Sequence, residues 1–391
     1  MAEQSNTPQL RFQGYTDAWG QERLGEMLVK NDERNKDVAF DNVESVSNKT
    51  GFTKQTEQFD DYSVASADLS NYYVIRERQF AYNPSRINVG SIAYKEKGAE
   101  IGVVSPLYIS FSTKEMLDDR FLWYWFKTYS FDYQRHTLSE GGVRDTLSFD
   151  KIAQMEIKLP GLKEQQEIGR VLHSVDSLLS LHRRKREKLQ EIKKSLLQKM
   201  FPAEGEDRPQ IRFAGYTDAW GQERLGDIAD RFDNLRVPVE AAKRVPGPVP
   251  YYGANGIQDY VSGYTHDGEY ILVAEDGASD LVNYPVQYVS GKIWVNNHAH
   301  VLQGKEKVAS TKFLKYLITR ADVGSLLVGG SRAKLNAETM MNMDVRLPED
   351  YQEQVDIGSL LFGVDDLLSL HQRKLYKLQE IKKALLQKMF C

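Results

Sequence analysis

One long stretch occurs twice in the chain, as LLSLHRRKREKLQEIKKSLLQKMF at 178–201 and as LLSLHQRKLYKLQEIKKALLQKMF at 367–390. Aligned from Ile168 and Ile357, the two blocks are identical at 25 of 34 positions. Leu, Lys, Gln and Glu favour helices, no Pro or Gly interrupts the first block after Arg170, and Pro202 ends it. The sequence therefore predicts two long helices, at 163–201 and at 352–391.

Apolar residues recur with heptad spacing in both predicted helices, which is typical of a coiled coil. Each helix would be about 57 Å long at 1.5 Å per residue, too long to bury its apolar stripe against its own half of the chain. Two similar units in one chain favour a pseudo-two-fold axis, which makes the two helices antiparallel. The predicted core of the helix pair is Val175, Leu178, His182, Leu189, Ile192, Leu196, Val364, Leu367, His371, Leu378, Ile381 and Leu385.

The two histidines of this set lie at the midpoints of the predicted helices. In an antiparallel pair, His182 and His371 would face each other near Lys185 and Lys374, as a polar layer that fixes the register of the pair. The alternative is that both are neutral histidines at a helix edge with one face in water.

Further repeated segments frame the rest of the chain. An opening segment occurs as RFQGYTDAWGQERLG at 11–25 and as RFAGYTDAWGQERLG at 212–226, and a polar linker at 202–211 precedes the second copy. Aromatic and glycine content favours packing of these openers onto a helix end over contact with a partner subunit. Between opener and long helix, the middles differ in sequence. The expected fold is α+β, with two mixed α/β domains (1–162 and 212–351), an antiparallel coiled coil and a pseudo-two-fold repeat.

Composition restricts the class of protein. The 391 residues carry a net charge of −4, so any nucleic-acid surface must be a local patch. The single cysteine, Cys391, excludes an internal disulfide and a cysteine-rich zinc site. We find no run of eighteen apolar residues and no signal peptide in MAEQSNTPQL, so the expected location is the cytoplasm.

Motifs for catalysis are missing from the sequence, and no metal site is expected. The chain has no GxxxxGK[ST] and no HExxH, and YNPSR at 82–86 lacks the second proline and the aromatic of the NPP-aromatic site of DNA amino-methyltransferases. The alternative functions are a coiled-coil assembly protein without DNA readout, and an enzyme that combines recognition with methylation or cleavage in one chain.

The variable middles instead contain polar side chains suited to DNA grooves, because Arg and Asn can make paired hydrogen bonds to guanine and adenine. They lie in FAYNPSRINVGSIAY, PVPYYGANGIQDYVSGY and WVNNHAHVL, where Gln258 adds another polar tip. Each could equally be a turn or core residue. The candidate DNA-binding residues are Asn83, Arg86, Asn88, Tyr251, Tyr252, Asn255, Asn296, Asn297, His298 and His300.

A matched loop closes each middle, as GGVRDTL at 141–147 and as GGSRAKL at 329–335. Arg144 and Arg332 recur after two glycines, and Lys334 follows in the second copy. A basic residue that recurs beside two middles of different sequence suits a contact with DNA phosphate. Such a contact positions a protein on DNA without reading the base sequence. The alternative is a glycine turn in which the arginine makes a local ion pair.

These motifs together resemble the specificity subunit of Type I restriction-modification enzymes. The resemblance rests on the duplicated openers, the GGxRxxL closers and the long helices, and it covers nearly the whole chain. It implies a non-catalytic subunit whose two target-recognition domains each bind half of a split, asymmetric DNA sequence. The helices would set the spacer and dock two methyltransferase subunits, joined by restriction-translocase subunits. The resemblance also implies that S-adenosylmethionine, ATP and Mg belong to those partners, and that no cofactor binds to this chain.

Overall fold

The computed structural model describes residues 6–48, 50–55, 68–139, 146–281, 283–329 and 333–391. The chain divides into two compact units. Unit 1 comprises 1–182 and 374–391, and unit 2 comprises 183–373. Each unit therefore holds one domain together with parts of both long helices, a division that follows contacts and not the linear boundaries predicted from the repeat. Among the described residues, no helix is long and apolar enough to cross a membrane.

The two long helices are present at Leu162–Lys199 and Tyr351–Lys388, within three residues of the predicted bounds. They pair within each unit. In unit 1, Val175 and Leu179 pack against Leu375, with Leu378 and Leu385 alongside, and Ile168 and Leu172 lie in one cluster with Met389 and Phe390. In unit 2, Leu196 and Leu197 share a cluster with Ile357 and Leu361. Early residues of one helix thus meet late residues of the other, so the pairing is antiparallel in both units.

The predicted heptad register is wrong in one of its two series. Leu178, Ile192, Leu367 and Ile381 are 41% to 48% exposed. The buried and half-buried positions of the first long helix instead include 175, 179, 182, 186, 189, 193 and 196, which alternate steps of four and three and which we call the contacting series. It includes Arg186 and Lys193, and the second helix has Lys382 at the corresponding place. Because long basic side chains occupy these positions, the apolar pattern alone selected Ile192 and Ile381. Each of them lies one residue before the lysine that makes the contact.

Salt bridges occupy the polar positions of the helix pair. In unit 1, Lys382 Nζ lies 2.5 Å from Asp176 Oδ1, and in unit 2, Lys193 Nζ lies 2.6 Å from Asp365 Oδ1. His182 and His371 are both half-buried. Because they fall in different units, the predicted contact between them remains a prediction.

Each opener packs as predicted, onto the end of a long helix. In unit 1, the Trp19 ring contacts Phe121 and Phe390 edge-on, with centroids 5.8 and 6.5 Å apart. In unit 2, Trp220 contacts Phe201 and Phe313 in the same way, at 5.7 and 5.8 Å. The sequence GQER of each opener forms a short strand that pairs with the strand before the long helix, in identical register. The repeat is therefore structural as well as sequential.

A buried ion pair fixes each opener to the start of a long helix. Arg11 donates two hydrogen bonds to the Glu164 carboxylate, at 2.7 and 2.8 Å, and Arg212 donates two to Glu353, at 2.6 and 2.7 Å. Both carboxylates are buried.

The domains built on this frame differ. Unit 1 contains two four-stranded sheets, in the orders β2-β9-β6-β7 and β4-β3-β8-β5, and the pair β1-β10. Its strands are β1 (Gly20–Arg23), β2 (Leu28–Lys30), β3 (Val43–Ser47), β4 (Gly51–Lys54), β5 (Tyr73–Ile75), β6 (Gln79–Tyr82), β7 (Ile92–Tyr94), β8 (Gly102–Val104), β9 (Ile109–Thr113) and β10 (Glu156–Leu159). Its shorter helices are Leu24–Met27, Asp119–Trp125, Tyr129–Leu138 and Phe149–Gln154. The helices Asp119–Trp125 and Tyr129–Leu138 are separated at Phe126–Thr128, where the Thr128 hydroxyl caps the second helix.

Unit 2 contains one six-stranded sheet in the order β12-β17-β15-β16-β13-β14, and the pairs β11-β20 and β18-β19. Its strands are β11 (Gly221–Arg224), β12 (Ala229–Arg231), β13 (Pro246–Gly253), β14 (Gly256–Val261), β15 (His266–Ala274), β16 (Val286–Val295), β17 (Ala299–Gly304), β18 (Leu327–Val328), β19 (Lys334–Leu335) and β20 (Asp344–Leu347). Its shorter helices are Leu225–Ile228, Thr311–Arg320 and Ala337–Met341. The predicted α+β class, with a repeated frame around unlike domains, is confirmed.

The revised register predicts a stability difference between two apolar residues of the second long helix. Leu375 is 4% exposed in the contact between the helices, whereas Ile381 is exposed. We expect Leu375→Ala to lower the free energy of unfolding by about 2 kcal/mol or more, because it leaves a cavity. Ile381→Ala should cost less than about 0.5 kcal/mol. Urea denaturation measures both, and equal losses would contradict the register described above.

Candidate nucleic-acid interface

In unit 1, the predicted DNA-binding residues Asn83, Arg86 and Asn88 lie on one tight turn between β6 and β7. Asn83 N–H donates to Ser91 O at 3.0 Å, and Asn83 Oδ1 accepts from Ser85 N–H at 3.0 Å. A 3₁₀ turn at Ile87–Val89 follows and ends at Gly90, whose φ of 82° is the left-handed conformation that glycine tolerates. Arg86 and Asn88 project from this turn and are exposed, and among the described residues their side chains form no hydrogen bond or ion pair.

Two neighbouring segments fix this turn. Asn48, in the hairpin between β3 and β4, donates to Val89 O at 3.1 Å. On the other side, Leu147 N–H donates to Pro84 O at 3.1 Å, so the closing loop ends against the turn. Arg144 in that loop, and its counterpart Arg332 in unit 2, lie outside the described residues, and their predicted phosphate contacts stay predictions.

A cleft of about 660 Å³ opens beside the same turn, with Asn48 and Gly90 on its rim. Its wall includes Trp123, and the Lys127 amine lies 3.9 Å from the centre of that ring. Burial, and then the positive charge of Lys382, lower the pKa of Lys127 to about 8. The amine therefore changes charge near neutral pH.

In unit 2, four segments that are distant in sequence form one surface, which we call the polar patch: residues 253–258, 276–279, 296–298 and 334. Asn255, at the tip of the β13-β14 hairpin, donates to Gly277 O and accepts from Ser279 N–H, both at 2.8 Å. His298 Nδ1 lies 2.6 Å from Asp276 Oδ1, and Asp276 pairs by its backbone with Lys334. Asn297, His298 and Lys334 are exposed on the patch.

Tyr251 and Asn296 of the predicted set are buried, which corrects their assignment as DNA-binding residues. The Tyr251 hydroxyl accepts from Val239 N–H at 2.9 Å, and the Arg244 guanidinium stacks on its ring. Asn296 is 4% exposed and accepts from His298 N–H at 2.8 Å. Tyr252 is half-buried beside the core of the large sheet. In these positions the side chains fix the strands and turns of the patch, and the sequence pattern did not separate them from exposed neighbours.

His300 is also buried, and it lies in a network of charged groups beneath the patch. Its Nδ1 is 2.7 Å from Asp233 Oδ2, and its Nε2 is 3.0 Å from Leu335 O. Glu275 completes the network through Arg236 at 2.6 Å and Lys334 at 2.7 Å. The predicted DNA contact of His300 is therefore wrong, and its role is to hold β17 against the segment that carries Lys334.

Asp233, Glu275 and His300 also have the side-chain types of a metal site, with ligand atoms within 4.8 Å of one another. Their charges are already compensated by neighbouring protein groups. Burial raises the pKa of Asp233, but hydrogen bonds from His300 and from Val301 N–H outweigh it and leave the pKa below its usual value. The pKa of Glu275 is lowered likewise, since hydrogen bonds from Lys334 and Arg236 outweigh burial. The arrangement suits a salt-bridge network.

The repeat also contains structural residues that the motif search did not single out. Gln165 accepts from Asp118 N–H at 2.9 Å and donates to Pro160 O at 2.8 Å; its counterpart Gln354 accepts from Ser310 N–H at 3.0 Å and donates to Pro348 O at 2.9 Å. Each glutamine thus joins a long helix to its domain. Both copies carry a glutamine at this position, and that repetition was the signal by which the sequence could have indicated these residues.

Comparison with known proteins agrees with this architecture. The family described as "Type I restriction modification DNA specificity domain" matches residues 22–191 and 217–380, one copy for each repeat. A protein of Haemophilus influenzae assigned as a type I restriction enzyme specificity subunit is 46% identical over 145 residues, which is 37% of either chain. The type I restriction enzyme MjaVIII specificity subunit of Methanocaldococcus jannaschii is 21% identical over 344 residues, 76% of this chain and 75% of that one.

A solved structure shares the fold over almost the full length. The crystal structure of the S subunit of a Type I restriction-modification system from M. genitalium superposes with a TM-score of 0.71, at 16% identity, over 98% of this chain and 99% of that one. Two matches to the family in one chain, each falling on one copy of the frame, show that the protein belongs to the Type I restriction-modification DNA specificity family.

Proposed function

We propose that this chain is the DNA-recognition subunit of a Type I restriction-modification complex, without catalytic activity of its own, and that each unit reads one half of a bipartite, asymmetric target. The observation that carries the proposal is a repeated frame around two unlike domains. The openers, the buried Arg–Glu pairs and the helix ends are equivalent in the two units, whereas one unit has two four-stranded sheets and the other a six-stranded sheet. A duplicated frame with different readers suits two different half-sites.

The turn of unit 1 and the polar patch of unit 2 are the proposed reading surfaces. Arg86 and Asn88 have exposed side chains on a backbone that is fixed on both sides. Asn297, His298 and Lys334 are exposed on a patch whose segments are joined by hydrogen bonds. A backbone fixed in this way loses little conformational entropy on binding, and it limits the positions that these side chains can reach. Readout of base edges depends on such fixed donors and acceptors.

The proposed protein partners are two methyltransferase subunits, with restriction-translocase subunits joining that core. Support comes from exposed apolar residues at equivalent positions of the long helices, which are 38% to 48% exposed. They are Leu178, Leu181 and Ile381 in unit 1, and Leu367, Leu370 and Ile192 in unit 2. Exposed apolar side chains that recur at equivalent positions suit a protein interaction site, and two equivalent sets suit two copies of one partner. The proposal assigns S-adenosylmethionine, ATP and Mg to the partner subunits.

Lengthening the helices tests whether they set the spacing of the two half-sites. The test variant carries seven extra residues, one heptad, after Arg183 and seven more after Gln372. An insertion of one heptad keeps the contacting series in phase. One heptad adds about 10.5 Å, close to three base-pair steps of about 3.4 Å. Mapping methylated adenines in a host that lacks adenine methylation should show unchanged half-sites and a spacer longer by about three base pairs.

The control keeps the length of the chain and replaces by alanine only the exposed residues among the seven after each insertion point, so that Arg186, Leu189, Leu375 and Leu378 stay in place. It should leave the spacer unaltered. The same spacer for the lengthened and the parental chain would refute the helices as the element that sets the distance.

Introduction of negative charge tests the apolar sets. Leu178→Glu with Ile381→Glu alters the set of unit 1 alone, and we expect the complex to carry one methyltransferase subunit where the parental complex carries two. Burial of an unpaired carboxylate at an apolar contact is strongly unfavourable. Native mass spectrometry of the co-purified complex gives the stoichiometry.

The matched control is Ser177→Glu with Gln387→Glu, two exposed positions of the same helix segments that add the same charge. It should retain two partner subunits. Retention of two by the Leu178→Glu, Ile381→Glu variant would exclude the apolar set as the docking site.

A further inference from the structure

A β-bulge on the polar patch gives one side chain an unusual position. In the pair β13-β14, Tyr251 faces Asp259 and Tyr252 faces Ile257, so Gln258 is an extra residue with no partner opposite. β14 is the edge strand of the six-stranded sheet. Bulges at sheet edges re-aim a side chain that regular pairing would direct elsewhere.

The re-aimed side chain lies over a glycine. A Cβ atom at Gly253 would be 2.1 Å from Gln258 Nε2, so the amide group occupies the space that any other residue at 253 would fill. Gly253 has a backbone conformation open to every residue type, so backbone strain gives no reason for glycine here. A residue with a Cβ at 253 would therefore displace the Gln258 amide from this position, and its Cβ would also lie 3.2 Å from Asn296 Nδ2.

A buried neighbour lies within reach of the amide. Asn296 Nδ2 lies 3.5 Å from Gln258 Oε1, at the long end of hydrogen-bond distances, and Asn296 is itself held by its bond to His298 N–H. Among the described residues, Gln258 Nε2 donates no hydrogen bond, and Oε1 retains a lone pair. Gln258 is exposed, so a donor and an acceptor lie side by side and open to solvent on the patch.

We infer that Gln258 is a specificity-determining residue of unit 2, which reads an adenine of its half-site through two hydrogen bonds. A glutamine amide matches adenine in the major groove, because Oε1 accepts from the N6 amino group and Nε2 donates to N7. Gly253 and Asn296 are positioning residues, since they act through the amide of Gln258. This inference rests on the proposed function.

The test compares motifs directed by variants of the full chain, each co-expressed with its methyltransferase subunits in a host that lacks adenine methylation. Gln258→Ala removes both hydrogen bonds, and Gln258→Glu keeps the shape but replaces the donor with an acceptor. We expect either to reduce discrimination at one A·T pair of one half-site by about 5- to 150-fold. The half-site read by unit 1 should not change, and it is the internal control.

Gly253→Ala should reduce discrimination at the same base pair, because its Cβ displaces the amide. Combination with Gln258→Ala should reduce it no further. Gln222→Ala, at an exposed glutamine on the opener of unit 2, is the matched control and should leave the motif intact. If Gln258 had only a structural role, two different substitutions of it would not both affect the same single base pair.

Three results would overturn the inference: an unchanged motif in the Gln258→Ala variant, reduced discrimination at a G·C pair, or uniformly weaker methylation across the half-site. If methylation is lost altogether, binding of the purified variant complex to duplexes substituted at one base pair at a time decides by the same criteria. Absence of any split motif with the parental chain would instead contradict the proposed function.

Discussion

The buried ion pair at the start of each long helix is the constraint on which the rest of the frame depends. Glu164 and Glu353 are buried at positions where water cannot solvate a carboxylate, and Arg11 and Arg212 each supply two hydrogen bonds to them. Removal of one partner from such a pair typically costs about 3–5 kcal/mol, because the remaining charge stays buried. The opener therefore cannot leave the helix without a large penalty. That opener also carries the tryptophan that packs on a helix end.

A second constraint ties each domain to this frame, and it concerns space. A Cβ at Gly169 would lie 3.0 Å from the Arg120 Cβ, and a Cβ at Gly358 would lie 2.8 Å from Phe313 N. The glycine lets the domain helix approach the long helix closely in each unit, and the neighbouring glutamine bonds to the start of that same domain helix. The sheets take no part in these contacts, which is why two unlike sheets are compatible with one frame.

The sequence predicted those parts of the structure that are formed by repeated segments. Two copies of one long apolar pattern located both helices to within three residues, and two copies of the opener indicated equivalent packing. The register of the helix pair could not be read in the same way, because Lys193 and Lys382 occupy contacting positions while Leu178 and Ile381 do not. Residue type also could not separate Asn296, which is buried, from Asn297, which is exposed. That difference depends on strands β13 and β16, which are distant in sequence and pair in parallel.

The basic residues that obscured the register explain how the helix pair and the domains are joined. In unit 1, Asp176 accepts from Lys382 of the other long helix and, at 2.9 Å, from the Tyr124 hydroxyl of the domain helix. In unit 2, Asp365 accepts from Lys193 and, at 2.9 Å, from Tyr316. One carboxylate thus bonds both to the partner helix and to the domain. A slip of one long helix along the other would break the bond to the lysine, and a shift of the domain along its helix would break the bond to the tyrosine. One carboxylate in each unit therefore contributes both to the register of the helices and to the seating of the domain.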